Sequence, residues 1–304
     1  MTFTKYLTAL VVVLFLIFSH NSFAEEFKPK LALSTEVGDD SSIYGGNLCE
    51  FKGYHNIANE YHDIKFIPEI INILLPEAEK GDTEAEYNLG VAYAYAYKYE
   101  TALPWFLKAA KKGFVKSQYN LGIMYAKTNN TKEAIKWWHK TIEQGYDSYG
   151  CLGWVYADGI GIPKNYKEAA KWIKKAAEME NEVAQFRLGA MYYYGLGVAR
   201  SGKEALKWFR KLSKRGYTAG HSDLGVMYAT GQGVNVDYRA AVGLFQKASS
   251  FAIAQYNLGV MYYYGAGVRR DKTEAWKLFK AACYNGYKGA CKVSSLTVPS
   301  LWEH

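Results

Sequence analysis

The sequence has little of what usually announces chemistry. It contains no Ser-x-x-Lys and no His-Glu-x-x-His, and His55, His62, His139, His221 and His304 are scattered, so neither the serine acyl-enzyme motif nor the zinc-hydrolase motif is present. His55 and His62 flank Glu60, but that spacing matches no strong ligand pattern, and no metal or other cofactor is expected. Long apolar runs are as scarce: the twelve-residue run Leu7 to Phe18 is too short for a comfortable membrane span. With Lys5 before it and Ser22-Phe23-Ala24 after it, the run reads as the core of a signal peptide over residues 1–24. No cysteine follows it directly, so neither a lipoprotein anchor nor a stable span after cleavage is expected. Only four cysteines occur in 304 residues, Cys49, Cys151, Cys283 and Cys291. All lie beyond the cleavage point, where a periplasmic or secreted chain meets an oxidising compartment.

The net charge of +8 conceals an asymmetry. Residues 25–80 carry eleven Asp/Glu against five Lys, whereas residues 81–304 carry 31 Lys/Arg against 18 Asp/Glu. The leader is acidic and the remainder of the chain basic. An exported chain seldom meets nucleic acid, so this charge points instead to acidic proteins, anionic glycans or lipid headgroups.

One pattern organises the chain. Leu-Gly-x-x-Tyr occurs at Leu89-Gly90, Leu121-Gly122, Leu152-Gly153, Leu188-Gly189, Leu224-Gly225 and Leu258-Gly259, with glycines 32, 31, 36, 36 and 34 residues apart. That is the period of a two-helix repeat. A helical glycine costs about 1 kcal/mol relative to alanine, so six at one phase call for a neighbouring helix too close to admit a Cβ. Ala254, Leu258, Met261 and Tyr262 share one face of the sixth helix A. Ala275, Phe279 and Ala282 line its helix B, as Ala102, Phe106 and Ala109 line the first. Residues 25–53 are polar, residues 54–81 read as a degenerate capping repeat containing Pro76, six repeats fill 82–292, and 293–304 is a tail. Four repeats carry Gly-x-Gly between their helices, at Gly159/Gly161, Gly195/Gly197, Gly231/Gly233 and Gly265/Gly267. No strand precedes them, so left-handed residues closing helix A explain them better than phosphate binding.

The run A-x-x-x-L-G-x-x-Y-x-x-G-x-G-V followed by A-x-x-[WF]-[FL]-x-K-A-A-x-x-G is met closely from Ala254 to Gly286, and also from Ala184 to Gly216 and from Ser148 to Glu180, where Glu180 replaces the last glycine. It resembles the Sel-like repeat (SLR) family, relatives of tetratricopeptide repeats. The resemblance implies an all-α, α/α superhelical solenoid with helix A on the concave side, and a role as an adaptor that binds proteins or envelope components. Cys283 and Cys291 are spaced as in the cysteine-rich subgroup of that family, which implies a disulfide clipping the C-terminal cap. Some members of that subgroup bind or hydrolyse β-lactams, so an enzyme acting on β-lactams or cell-wall peptides is the alternative to a scaffold, weakened by the missing serine motif.

If helix A follows tetratricopeptide geometry, the residues two before the Leu and two, five and six after it face the groove. Those positions hold the aromatic candidates Tyr87, Tyr95, Tyr119, Trp154, Phe186, Tyr193, Tyr194, Tyr256, Tyr263 and Tyr264. Rings with a polar tip suit a binding surface that must also tolerate water, although a stripe at helical spacing also suits packing between A helices. The lysines of helix B read as a solvated outer face. The acidic leader could fold back over part of a basic groove if Cys49 pairs with Cys151, near helix A of the third repeat; an unpaired, unstructured leader is the alternative.

Overall fold

Glycine decides how each hairpin closes. The computed structural model describes Cys49 and residues 67–294, which form fourteen α-helices and, among the described residues, no strand. The signal peptide, the leader apart from Cys49, the group His55, Glu60 and His62, and the tail from residue 295 lie outside the described residues. Helix α1 (Ile67–Glu79) precedes the repeats. The A helices are α2 (Thr83–Tyr95), α4 (Val115–Lys127), α6 (Tyr149–Asp158), α8 (Glu182–Tyr194), α10 (Thr218–Thr230) and α12 (Ala252–Tyr264). The B helices are α3 (Tyr99–Lys111), α5 (Thr131–Glu143), α7 (Tyr166–Glu178), α9 (Gly202–Lys214), α11 (Tyr238–Lys247) and α13 (Lys272–Tyr284), and α14 (Lys288–Ser294) comes last. The fold is an α/α solenoid of helix–turn–helix repeats. Its packing groups residues 46–188 with 196–198 into one compact unit, and 189–195 with the chain from 199 onward into another.

Within each hairpin, one large side chain of helix B sits on the glycine of helix A. The pairs are Phe106 on Gly90, Trp138 on Gly122, Ile173 on Gly153, Phe209 on Gly189, Phe245 on Gly225 and Phe279 on Gly259. A Cβ on any of the six glycines would lie within 2.8 Å of that side chain. The B-helix residue is buried in every pair. Apolar burial at this seat more than offsets the helix-propensity cost of the glycine. The seat lies 16 residues after the glycine in the first two repeats and 20 in the others, the difference being the Gly-x-Gly loop.

Those loops perform two tasks. Their first glycines, Gly159, Gly195, Gly231 and Gly265, take left-handed φ values of 69–75° just past helix A, as expected for a C-terminal cap. Their second glycines touch the preceding repeat: Gly161 meets Thr131, Gly197 the Tyr166 carbonyl, Gly233 the Gly202 backbone and Gly267 the Tyr238 backbone, each at the start of a B helix. Repeats one and two have no such loop and turn instead through Tyr97 and Asn129, non-glycine residues at φ 58° and 62°.

Polar groups also bind repeat to repeat. Gln118 and Gln185, three residues before their Leu, donate Nε2 to the carbonyls of Ala110 and Ala177 at 3.1 Å, and Gln255 donates to Ser249 O at 2.7 Å. Lys112 Nζ reaches both oxygens of the buried Glu86 at 2.8 Å and Gly81 O at 2.8 Å, fastening the first hairpin to the cap. In α1, Ile67, Ile70 and Ala78 are buried and Pro76 is accommodated within the helix. No helix of the described residues is long and apolar enough to cross a membrane.

Both cysteine pairs are bonded. Cys283–Cys291 joins α13 to α14, and Cys49–Cys151 fixes Cys49 against a cluster that includes Tyr119, Ile123, Trp138 and Leu152.

Two pairs of variants test these constraints. Gly225→Ala should lose about 1–3 kcal/mol of stability by overpacking Phe245, while Gly243→Ala, with nothing within 4 Å of its Cβ, should gain up to about 1 kcal/mol; urea denaturation midpoints give both signs. The disulfides separate by loop length, 102 residues against 8. On chain entropy the long closure contributes nearly 5 kcal/mol and the short one about 2–3, so Cys49→Ser/Cys151→Ser should lower the midpoint more than Cys283→Ser/Cys291→Ser.

Candidate functional site

The ten aromatic candidates divide by burial. Tyr87, Tyr119, Tyr193 and Tyr256 are buried, so the expectation that they present their rings to a ligand is corrected for these four. For Tyr87, Tyr119 and Tyr256 the reason is packing within the hairpin, while Tyr193 lies beside Tyr194 with its hydroxyl next to Thr230 of the following repeat. Tyr87 meets Phe106 and Phe114 at ring-centroid distances of 6.1 and 5.0 Å, Tyr119 meets Tyr146 at 5.4 Å, and Tyr256 meets Phe279 and Tyr287 at 5.3 and 5.1 Å. Phe114, Tyr146 and Tyr287 each follow a left-handed glycine that ends helix B. A ring after that glycine, paired with a ring two before the Leu, was a visible signal that the position belongs to the hairpin core.

Tyr95, Trp154, Phe186, Tyr194, Tyr263 and Tyr264 remain half-buried. In the unit from residue 189 onward, a corner recurs at the end of α8 and of α12. Tyr193 and Tyr194 pack edge to face at 4.9 Å, and Tyr263 and Tyr264 at 4.8 Å. The left-handed Gly195 and Gly265 then turn the chain, and Arg200 and Arg270 return Nε to the carbonyls of Tyr193 and Tyr263, each at 3.1 Å. Glycine removes the Cβ that would strain this turn, and the arginine holds the last carbonyls of the helix. Each corner is therefore a rigid aromatic pair beside a guanidinium. A depression of about 490 Å³ in the same unit lies at another loop, lined by residues that include Tyr228, Val236, Tyr238 and Gly267.

Charge is sorted by helix type. The six B helices hold 19 Lys/Arg against 7 Asp/Glu, and the six A helices 3 against 5. The basic groove expected from the sequence is thus absent from the A helices; the positive charge lies on the B helices. Cys49, bonded to Cys151, does place one leader residue against A-helix side chains. Nothing in the A-helix charge draws an acidic leader there.

One A-helix carboxylate is unusual. Directly before the Leu, repeats two and six carry buried Asn120 and Asn257, and Asn120 hydrogen-bonds the Tyr87 side chain. Repeat three carries Cys151 there, and repeat five Asp223. Asp223 is 3% exposed and its Oδ2 has no hydrogen-bond partner among the described residues. Burial pushes its carboxyl up to about 8 from the ordinary 3.8. The Tyr193 hydroxyl, also pushed up to about 12, chiefly by burial, feels both Thr230 and Asp223. Among the described residues, no three His, Cys, Asp or Glu side chains converge as metal ligands would.

The comparisons with known proteins agree with this geometry. The Sel1 repeat model matches residues 83–114, 115–146, 152–181, 183–217, 218–250 and 252–287. A protective antigen of uropathogenic Escherichia coli strains, described as displaying an SLR fold, is 28% identical with a TM-score of 0.64; the match covers 74% of this chain and 50% of the antigen. This chain thus spans half the length of that relative. A Sel1 repeat protein from Oxalobacter formigenes is 29% identical with a TM-score of 0.55, over 68% of this chain and 87% of its own. The C-terminal part of a TPR repeat-containing protein from Cytophaga hutchinsonii, 19% identical with a TM-score of 0.53 over 82% of this chain and 100% of its own, shares the fold. No curated protein matches the chain.

Asp223 gives a pH test. The folded chain keeps this proton to about pH 8, while an unfolded one releases it near the ordinary value of 3.8. The native state therefore binds more protons across that window, and the group makes stability fall as pH rises through it. Asp223→Asn, which installs the residue found in repeats two and six, removes that slope. Its urea midpoint should exceed the wild type's by a margin that grows from about pH 4.5 to about pH 8.

Proposed function

The chain belongs to the Sel1 repeat family, and from that premise we propose that it is an exported interaction scaffold that holds a polypeptide segment against the half-buried aromatic side chains at the ends of α8 and α12. The observation that carries this reading is the recurring Tyr-Tyr-Gly corner at Tyr193–Gly195 and Tyr263–Gly265, fixed each time by an arginine. A partner meets the half-buried rings of Tyr194, Tyr263 and Tyr264, already ordered, with the buried Tyr193 backing Tyr194, so little side-chain entropy is lost on binding. Aromatic pairs beside a guanidinium combine large contact area with hydrogen-bond donors, the composition of interaction hot spots.

Export is supported by the signal-like segment at residues 1–24 and by the pairing of all four cysteines, which suits a periplasmic or secreted chain. An envelope protein is the partner class this combination favours. Distributed contacts over several repeats would let individually weak pockets sum to useful affinity.

Photo-crosslinking tests the surface. p-Benzoylphenylalanine at Tyr194 or Tyr264 should trap the same envelope protein, while the same group at Tyr284, an exposed B-helix position, should not. Tyr194→Ala and Tyr264→Ala should each weaken capture about tenfold, the loss expected of a hot-spot residue, with the denaturation midpoint little changed. Equal trapping from all three positions, or undiminished capture by the alanine variants, would move the site away from the A helices.

A further inference from the structure

The B helices of the unit containing residues 46–188 carry a second ordered feature. Two groups stand out among their nine lysines. Lys136 and Lys171, directly before a tryptophan, pair with Glu133 and Glu168 one turn earlier, the latter at 3.7 Å. Lys171 also lies over the Trp172 ring at 5.1 Å, so it is both paired and stacked, whereas the lysines three residues after a tryptophan have a ring and no carboxylate. Lys108 lies over the Trp105 ring at 4.0 Å, Lys140 over Trp137 at 5.1 Å, and Lys175 over Trp172 at 4.8 Å and over Tyr149 at 5.4 Å. Among the described residues none of these three ammonium groups has a carboxylate in ion-pair range, and all three residues are exposed. Three consecutive B helices, α3, α5 and α7, therefore each hold one uncompensated positive charge over a ring at the same place on the helix, whereas the exposed Lys111, Lys132 and Lys167 of the same helices have no such ring contact among the described residues. The ring beneath limits the lysine's freedom and keeps the charge outward.

We propose that this face is a docking surface for an acidic polypeptide segment, separate from the A-helix surface and independent of the reading given to it. The surroundings select the class of partner. Base or sugar stacking needs an open aromatic face, and here an ammonium covers each ring. Anchoring in a bilayer needs apolar groups that protrude, whereas Trp172 is buried beneath its lysines and Trp105 and Trp137 are half-buried. Phosphate recognition favours arginine forks, and the nine basic residues of α3, α5 and α7 are all lysine. A row of carboxylates on an extended chain needs only what this face supplies, which is point charges repeated at the spacing of the hairpins. Each contact is exposed and weak, and affinity comes from engaging several at once.

The experiment uses the full chain and poly-L-glutamate. Zero-length carbodiimide coupling followed by mass spectrometry should place the crosslinks on Lys108, Lys140 and Lys175 in preference to the glutamate-paired Lys136 and Lys171. In fluorescence anisotropy with dye-labelled poly-L-glutamate, Lys108→Gln/Lys140→Gln/Lys175→Gln should weaken binding about tenfold. Lys98→Gln/Lys116→Gln/Lys164→Gln, which removes the same charge from exposed sites off the B helices, should change it little. All six substitutions are at exposed positions, and circular dichroism checks that both variants fold. Equal losses in the two variants, or crosslinks spread evenly over the lysines, would reduce the surface to diffuse charge and overturn the proposal. Stronger competition from heparin or from phosphatidylglycerol vesicles at equal charge would overturn the assignment to a polypeptide.

Discussion

A ring seated on a glycine is the contact on which this architecture depends. At Gly90, Gly122, Gly189, Gly225 and Gly259 an aromatic side chain of helix B occupies the place of a Cβ, and Ile173 does so at Gly153. The contact sets how closely the two helices approach, and the left-handed glycines past helix A determine how soon the chain can return. The second loop glycine then rests on the start of the preceding B helix, so packing inside one repeat and registration on its neighbour share a residue type. Local failure in such an array is expected to stay local, because each hairpin leans chiefly on adjacent ones.

The same arrangement explains the sorting of charge. Helix A is enclosed by its own helix B on one side and by neighbouring chain on others, so it holds few charges and several buried polar groups. Gln118, Gln185 and Gln255 tie it to the repeat before, and Asn120 serves Tyr87. Helix B exposes one side, where lysines lie over tryptophans or pair with glutamates. Of the two buried A-helix carboxyls, Glu86 is paired with Lys112, whereas Asp223 has no cation beside it among the described residues and is kept neutral by burial.

Much of this was legible in the residues. The spacing of Leu-Gly located all six A helices, the glycine argument anticipated a close neighbour, and Gly-x-Gly read correctly as helix termination. The bridge between Cys283 and Cys291 followed from a family resemblance. Burial of the tyrosines two before the Leu was not legible from the helical period alone, which places a ring on a face without saying whether anything lies opposite; the ring after the glycine that ends helix B was the signal that could have shown it. The opposing rings, Phe114, Tyr146 and Tyr287, come from the far end of the same repeat. Net charge also misled: counted along the sequence it suggested a basic groove, whereas counted by helix it belongs to the B helices.

The sequence by itself determined the number of repeats, the helical hairpin as their unit, and the turns that join them, since these rest on local backbone preferences and on periodicity within one helix. Tertiary structure alone decided that both apolar faces of helix A are largely sealed, which lysines are neutralised, and that Cys49 meets Cys151 across 102 residues of chain. Those outcomes depend on what stands opposite a side chain, and that is a property of packing between segments far apart in the sequence.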